Sequence, residues 1–547
     1  MPTIRDLDAF LAVLNRPDVV QEECLLQRIV RVNQDCDYGR KYRFGDIATV
    51  RDYQRNVPIV VYADLEPWIA RIAAGEHGVL TREPVRRFFA TSGSTGKAKA
   101  VPVTSSFIAD KSRAFGLYWS ALFRSHPAAA NGRVVGNISD SGSATATPSG
   151  LPVTSEGGFW SEIGAAAQRR GRSPIPKCTS AINDPEARYY TVARILLEED
   201  VSLLMALNPS TLLVLFRKLH QFADELITDI ARGGLNADLR VGTEVRAYVN
   251  ETYRGCPARA EQLRALLRRA GPSATACEIW PSLQLVVTWR SPMQTPYLQL
   301  LAPYLGPVRQ RDYLLMASEG VIAVPIEDRT SGGVLATPIH FYEFIEEEDI
   351  GRPDPPVRLA AELEVGRNYV VILSTSAGFY RYNIGDVVHV RAMHGRTPVV
   401  EFLHRSGATC SLTGEKLTEH QVMAAMRAVT EPQGLALEGF TLHPAADGFP
   451  RYILLIEPPA HGNWTPPALL AEFERELCAR NIEYDAKRRS QRLAPPELWV
   501  TAPGAYGELR RRRIGTGAND AQIKPIHLTR DAHFSAGLAI RQTVVVS

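Results

Sequence analysis

No two of the seven cysteines, at positions 24, 36, 178, 256, 277, 410 and 478, stand as a Cys-x-x-Cys pair, and their number is odd. That scatter argues against a zinc knuckle or a disulfide framework and suits a reducing cytosol. Charge of one sign is also scarce: 62 lysines and arginines face 59 aspartates and glutamates, an excess of +3 over 547 residues. So small an excess gives no electrostatic grip on a phosphate backbone, and nucleic acid is not an expected partner. Long apolar runs are missing too. The most apolar stretch, VSLLMALNPSTLLVLF (201–216), is broken by Asn208, Pro209 and Ser210 and reads as two buried segments rather than a membrane span. The opening residues MPTIRDLDAFLAVL have no basic leader or small-residue cleavage site and read as an amphipathic helix. A soluble, cytoplasmic protein of at least two domains is expected, with no membrane partner. No G-x-S-x-G elbow supports a nucleophilic serine.

What is present is a mixture of periodicities. VPIVVYADLEPWIARIAAG (57–75) gives a strand-like run and then an amphipathic helix starting near Asp64. Short Val/Ile/Leu-rich runs recur, among them EIWPSLQLVVTW, GVIAVPI, RNYVVILSTS and GDVVHVRAM, and helical stretches such as YYTVARILLEED separate the earlier ones. The alternation predicts an α/β fold with buried sheets. Downstream, strands with a glycine turn lead to a helix capped by Thr418 with Gln421 three residues on. A boundary near Arg405 then divides the chain into a large domain, 1–404, and a small α+β domain, 405–547.

Four stretches carry chemistry. TSGSTGKAKAVP (91–102) combines Gly93 and Gly96 with the hydroxyls of Thr91, Ser92, Ser94 and Thr95 and the charges of Lys97 and Lys99. Such a loop can hold phosphate oxygens, although a Walker A loop needs four residues between its first glycine and Gly-Lys, and here there are two. Composition alone fits a flexible turn equally well. In STSAGFYRYNIGDVVHV (374–390), Gly385-Asp386 stands just ahead of an apolar strand; an aspartate at such a turn can accept from both hydroxyls of a ribose, or simply cap a hairpin. In MASEGVIAVP (316–325), Glu319 follows a small-residue turn, where a carboxylate can hold Mg²⁺ completed by water and phosphate, or stand as a solvated charge. Near the end, GTGANDAQIKPIHL (515–528) sets Lys524 in a loop. The arginines at 510–513 read as an exposed face.

The order of these elements resembles the acyl-adenylating superfamily of firefly luciferase, acyl-CoA ligases and nonribosomal adenylation domains. Within it the chain is similar to the auxin-responsive plant acyl acid amido synthetases and their bacterial relatives. The likeness runs over nearly the whole chain, through VPIVVYADLEPWIARIAAG, EIWPSLQLVVTW, the Ala-Ser-Glu turn, IHFYEFIE (339–346), GFYRYNIGDVV, GEKLTEHQV and QIKP.

The resemblance implies a large adenylation domain and a small mobile C-terminal domain. It implies activation of a carboxylic acid by ATP and Mg²⁺ as an acyl-adenylate, followed by attack of an amine, usually of an amino acid. Residues Thr91, Ser92, Gly93, Ser94, Thr95, Gly96 and Lys97 would hold the ATP phosphates, and Glu319 would meet Mg²⁺. Ser318 and Tyr382 would border the nucleotide, and Asp386 would take the ribose hydroxyls. Arg405 would contact ribose or phosphate from the interdomain hinge, and Lys524 would reach the phosphates or the adenylate. Trp289, Met293, Phe341 and Tyr342 fall in segments that resemble an acyl pocket. The chain departs from the plant pattern in Leu315, where that pattern has a tyrosine, so adenine packing would use another aromatic such as Tyr313. It departs also in Lys97, and in Trp289 and Arg290 where plant members have smaller residues. The alternative within the enzyme class is an acid–thiol ligase passing the acyl group to coenzyme A or a carrier protein; from another class, a nucleotide-binding scaffold without turnover.

Overall fold

The computed structural model describes residues 4–545 except 92–98, 137–144, 158, 160–172, 183, 272–273, 351, 353, 407–408, 411, 414, 416, 448, 460–463, 490–492 and 516–524. It divides into two compact units: residues 1–291 with 301–402, and residues 403–547 together with Pro292–Leu300. A boundary drawn at one point along the chain does not assign that short stretch to the second unit.

Among the described residues the first unit has three sheets. A parallel four-stranded sheet takes the strands Arg133–Val135, Val201–Met205, Leu285–Val287 and Arg309–Arg311 in that order. The central strand Leu285–Val287 reads as unbroken Val/Leu because both faces are covered; all three residues are fully buried. The run 201–216 splits as expected, into the strand Val201–Met205 and the helix Pro209–Gln221. Asn208 makes the break: its side-chain oxygen accepts the Ser210 N–H at 3.0 Å, and Pro209 occupies the first helical turn, where its missing N–H costs nothing. A second four-stranded sheet, of mixed direction, has the order Lys99–Val103, Arg87–Thr91, Pro152–Ser155, Thr145–Ala146. The third is an antiparallel eight-stranded sheet in the order Val357–Leu359, Phe341–Glu346, Asn368–Ser374, Tyr382–His394, Thr397–Arg405, Gly333–Leu335, Gly320–Val324, Leu315–Ala317.

The stretch 57–75 is a helix, Tyr62–Ala73, whose start is fixed by the Asp64 carboxylate accepting the Val61 N–H at 2.9 Å. The apolar run before it forms no strand. Val60 instead makes one parallel bridge to Tyr382: it donates to the Arg381 carbonyl at 3.0 Å and accepts from the Asn383 N–H at 2.8 Å. This contact is anchored by Arg381, which adopts a left-handed φ of 47°. Its buried guanidinium pairs twice with Glu343, at 2.9 and 3.0 Å, and donates to the carbonyls of Gln54 and Val57, both at 2.8 Å.

The second unit has a four-stranded sheet in the order Gly439–Pro444, Tyr452–Glu457, Glu497–Thr501, Ile540–Val545, covered by the helices Glu419–Thr430 and Pro466–Arg480. The predicted cap is present: Thr418 accepts the Gln421 N–H at 3.2 Å, and Gln421 accepts the Thr418 N–H at 3.1 Å. Among the described residues no helix is long and apolar enough to cross a membrane.

Replacing Arg381 by Met leaves Glu343 buried without its cation, so Arg381→Met should destabilise the first unit by about 3–5 kcal/mol. Urea denaturation followed by tryptophan fluorescence reads this as a lower midpoint; a wild-type midpoint would show that the pair anchors nothing.

Candidate functional site

Ser318 and Glu319 lie at one edge of the eight-stranded sheet, Tyr382 and Asp386 on its inner strand Tyr382–His394, and Lys99 on the strand that follows the hydroxyl- and glycine-rich loop. Ser318 and Glu319 form the two-residue turn between the strands Leu315–Ala317 and Gly320–Val324, with Ala317 paired to Gly320. Glu319 is not a solvated charge: it is only 3% exposed. The backbone beyond it is tightly enclosed. A Cβ on Gly320 would lie 2.6 Å from a Leu373 methyl carbon and 3.1 Å from the His340 ring. Leu373 is the cross-strand partner of Tyr382, so the turn lies against the start of the strand Tyr382–His394.

Tyr382 is fully buried and stacked on Phe379, with ring centroids 4.8 Å apart. Its hydroxyl accepts from Lys99 Nζ at 3.3 Å, and that ammonium also lies 5.4 Å from the centre of the Tyr62 ring. The Tyr62 hydroxyl accepts the Ala100 N–H at 2.8 Å, and burial raises its pKa, with Glu319 among the charges acting in the same direction. Tyr62, Lys99, Tyr382 and the Glu319 turn therefore form one neighbourhood. Lys99 and Ala100 lie on the strand that follows the loop; Thr91 ends the strand before it, paired with Lys99. The loop residues Ser92, Gly93, Ser94, Thr95, Gly96 and Lys97 lie outside the described residues, and so does Lys524.

Asp386 is not at a turn ahead of a strand, as the sequence suggests, but inside the strand Tyr382–His394 and 6% exposed. The register with Asn368–Ser374 jumps from Val370↔Val387 to Ile372↔Asn383, so residues 384–386 bulge opposite Val371. Gly385 makes the bulge, with φ of 79° and its N–H donated to the Asn383 side chain at 2.9 Å.

The acyl-segment residues Phe341, Tyr342 and Trp289 belong to the first unit and Met293 to the second. Phe341 and Tyr342 are core residues on opposite faces of one strand. Both are fully buried; Phe341 packs edge-on against Tyr53, and the Tyr342 hydroxyl donates to the carbonyls of Val321 and Ala336, at 2.7 and 3.2 Å. Rings so engaged present no surface to a substrate, which corrects that expectation. Trp289 is half-buried, with its indole N–H 3.4 Å from the Leu314 carbonyl. Met293 belongs to the stretch Pro292–Leu300 of the second unit. Tyr313 is fitted into the core against Phe115 and Tyr118. Arg405 ends the strand Thr397–Arg405 within the second unit and is half-buried.

Sequence reasoning missed the charges beneath the turn. Lys111, on the helix Ser105–Ser125, is fully buried; its ammonium donates to Glu156 at 2.5 Å and to the Ala317 carbonyl at 2.8 Å. Burial lowers its pKa, opposed by Glu156 and Glu319. His340 is fully buried, and neither ring nitrogen has a hydrogen-bond partner among the described residues. Burial, reinforced by Lys111 and Arg28, holds its pKa well below the ordinary value, so it is neutral. The available signal was a lysine on the helical stripe of Phe107, Ala114 and Tyr118, where a surface charge does not belong.

As a metal site the turn offers a hard carboxylate in an enclosed position. No group of three or more His, Cys, Asp or Glu side chains able to hold a metal occurs among the described residues. A single carboxylate fits Mg²⁺, which characteristically takes one or two from a protein and its other ligands from water and phosphate.

Three consecutive domain descriptions match this chain: the GH3 family N-terminal domain over residues 6–309, the GH3 family central domain over 333–405 and the GH3 family C-terminal domain over 420–533. The indole-3-acetic acid-amido synthetase GH3.10 of Arabidopsis thaliana is 27% identical over 92% of this chain and 91% of its own length. The jasmonoyl-L-amino acid synthetase JAR4 of Nicotiana attenuata is 24% identical over 92% and 90%. Among solved structures, the AtGH3.15 acyl acid amido synthetase in complex with 2,4-DB is similar in fold, with a TM-score of 0.87 at 20% identity over 100% of this chain and 98% of that one. A 2-hydroxyisobutyryl-CoA ligase in the postadenylation state follows at 0.51 and 14% identity, over 94% and 91%.

Because Gly385 holds a left-handed φ, Gly385→Ala should cost about 1–2 kcal/mol of stability. The expected readout is a lower urea midpoint with unchanged far-ultraviolet circular dichroism; an unshifted midpoint would mean the bulge tolerates a side chain.

Proposed function

The chain belongs to the GH3 family, and we propose that it is an ATP-dependent ligase that joins a carboxylic acid to an amine as an amide. In the first half-reaction an acid oxygen attacks the α-phosphorus of ATP, giving an acyl-adenylate and pyrophosphate. In the second, an amine attacks the acyl carbon, AMP leaves with the bonding pair, and the nitrogen loses its proton. One relative is named an indole-3-acetic acid-amido synthetase and another a jasmonoyl-L-amino acid synthetase, which supports an amino acid as the amine and an amide rather than a thioester as the product. Trp289, half-buried at the end of the parallel sheet, supports an aromatic or medium-sized apolar acid. The scattered cysteines suit a cytosolic protein.

The observation that carries the reading is the enclosed neighbourhood of Glu319, Tyr62, Lys99 and Tyr382 at the strands flanking the loop 91–97, in a chain matched along its length by the family's three domains. In this reading Thr91, Ser92, Gly93, Ser94, Thr95, Gly96 and Lys97 bind the phosphates through backbone N–H groups, hydroxyls and one ammonium. Asp386 accepts from the ribose hydroxyls, and Ser318 and Tyr382 border the nucleotide. Glu319 would hold Mg²⁺, which when bound neutralises charge growing on the phosphates as pyrophosphate departs. Arg405 contacts ribose or phosphate. Lys524 stabilises the same developing charge, a task that belongs to the transition state more than to binding.

The protein should catalyse ATP–pyrophosphate exchange that requires a carboxylic acid and stops on chelation of Mg²⁺. A panel of acids and amines with ATP, read by mass spectrometry, should yield new amides; a product formed only with coenzyme A would transfer the reading to the thiol ligases. No exchange with any acid would remove adenylation altogether.

Lys524→Ala should slow single-turnover adenylate formation by about 10²-fold or more, the scale of losing one preorganised electrostatic donor, with ATP affinity little changed. A wild-type rate would leave Lys524 an ordinary surface lysine.

A further inference from the structure

The Lys111 ammonium lies in a cage of rings, 5.2 Å from the centre of Phe107 and 5.8 Å from that of Phe89. For stability alone this is a poor use of a lysine. A buried ion pair contributes little more than apolar side chains of the same volume, and Met at 111 would fill the same cage. What an apolar side chain cannot supply is direction. Lys111 joins two backbone segments that share no strand pairing. One end of its reach is Glu156, which directly follows the strand Pro152–Ser155; that strand pairs in parallel with Arg87–Thr91, Ala90 lying opposite Ser155. The other is the carbonyl of Ala317, the last strand residue before Ser318 and Glu319. On the far side of the turn, Gly320 is pinned by Leu373 and by the His340 ring, which is itself stacked on Phe107 at 5.9 Å. The turn is thus held from both flanks, and one ammonium links it to the segment paired with the strand that enters the loop.

We infer that Lys111 is a positioning residue for the adenylation half-reaction: by bonding both Glu156 and the Ala317 carbonyl, it fixes the turn that carries Glu319 relative to the strand Arg87–Thr91. The inference rests on the reading of Glu319 as the Mg²⁺ ligand. Glu156 completes the device by favouring the charged lysine where it is buried, and the rings of Phe89 and Phe107 pack against the ammonium.

The test uses the full-length protein saturated with a non-reacting α,β-methylene analogue of ATP and titrated with Mn²⁺, read by water proton relaxation, so that it does not depend on turnover. Lys111→Met should weaken Mn²⁺ binding by roughly 10- to 100-fold, the scale seen when a group orienting a metal ligand is lost. Analogue affinity in chelator should stay at the wild-type value. Lys111→Met combined with Glu156→Leu removes both charges together and keeps the fold where the single variant does not. It should show the same weakening with a near-wild-type melting temperature, a combination that a merely structural role would not give. If either variant folds and binds Mn²⁺ as wild type does, the positioning role is overturned. Glu319→Gln separates the two levels. Weakened Mn²⁺ binding in Glu319→Gln with wild-type binding in the Lys111 variants overturns this inference alone, whereas wild-type binding in Glu319→Gln overturns the metal reading and this inference with it.

Discussion

The buried ion pair of Arg381 and Glu343 governs the geometry of the first unit's candidate site. Arg381 holds a backbone conformation that non-glycine residues adopt only at a cost, and its own side chain offsets that cost with four charge-assisted bonds. Its N–H is bound by the Ser374 hydroxyl at 2.9 Å and its carbonyl by Val60. The backbone N–H and carbonyl of Arg381 and its guanidinium are therefore all engaged. The residue that follows is Tyr382, and four residues further on, past the Gly385 bulge, is Asp386. Tyr382 is held directly, through its peptide bond to Arg381 and the Val60 bridge, and Asp386 follows it along the same strand.

Lys111 repeats the same physical device on the other side of the neighbourhood. Each case places a cation where water cannot compete, pairs it with one carboxylate, and donates to main-chain carbonyls: Ala317 beside the Ser318–Glu319 turn for Lys111, Gln54 and Val57 for Arg381. In low dielectric such bonds are strong and strongly directional, and breaking one leaves an uncompensated charge. The arrangement stiffens the backbone more than it stabilises the fold. That suits chemistry in which a carboxylate must be held in place before a highly charged nucleotide arrives.

Several elements were legible in the sequence because their causes are local. The break at Asn208-Pro209 and the Thr418–Gln421 cap involve groups two or three residues apart, and the structure shows both. Buried strands declared themselves by unbroken Val/Leu runs, and the order of the motifs was enough to identify the family. The strand expected at 57–61 failed for a related reason: its composition suits a sheet, but its polar groups are taken up by Arg381 and Asn383, more than three hundred positions later. The acyl assignment of Phe341 and Tyr342 does not fit their full burial, because aromatic residues look alike in sequence whether they line a pocket or fill a core.

By itself, then, the sequence determined the α/β class, the succession of chemical motifs, the family and the chemistry that family performs, since these follow from residue identity and short-range spacing. Only the tertiary structure decided that Glu319 and Asp386 are enclosed, that Tyr382 is tethered to Lys99, and that two buried cations anchor the neighbourhood. The reason is distance along the chain. Lys111 meets Glu156 across 45 positions and Ala317 across 206, and Arg381 meets Val57 across 324. No local pattern encodes a bond between residues so far apart; it exists because the folded chain removes both from water at the same point.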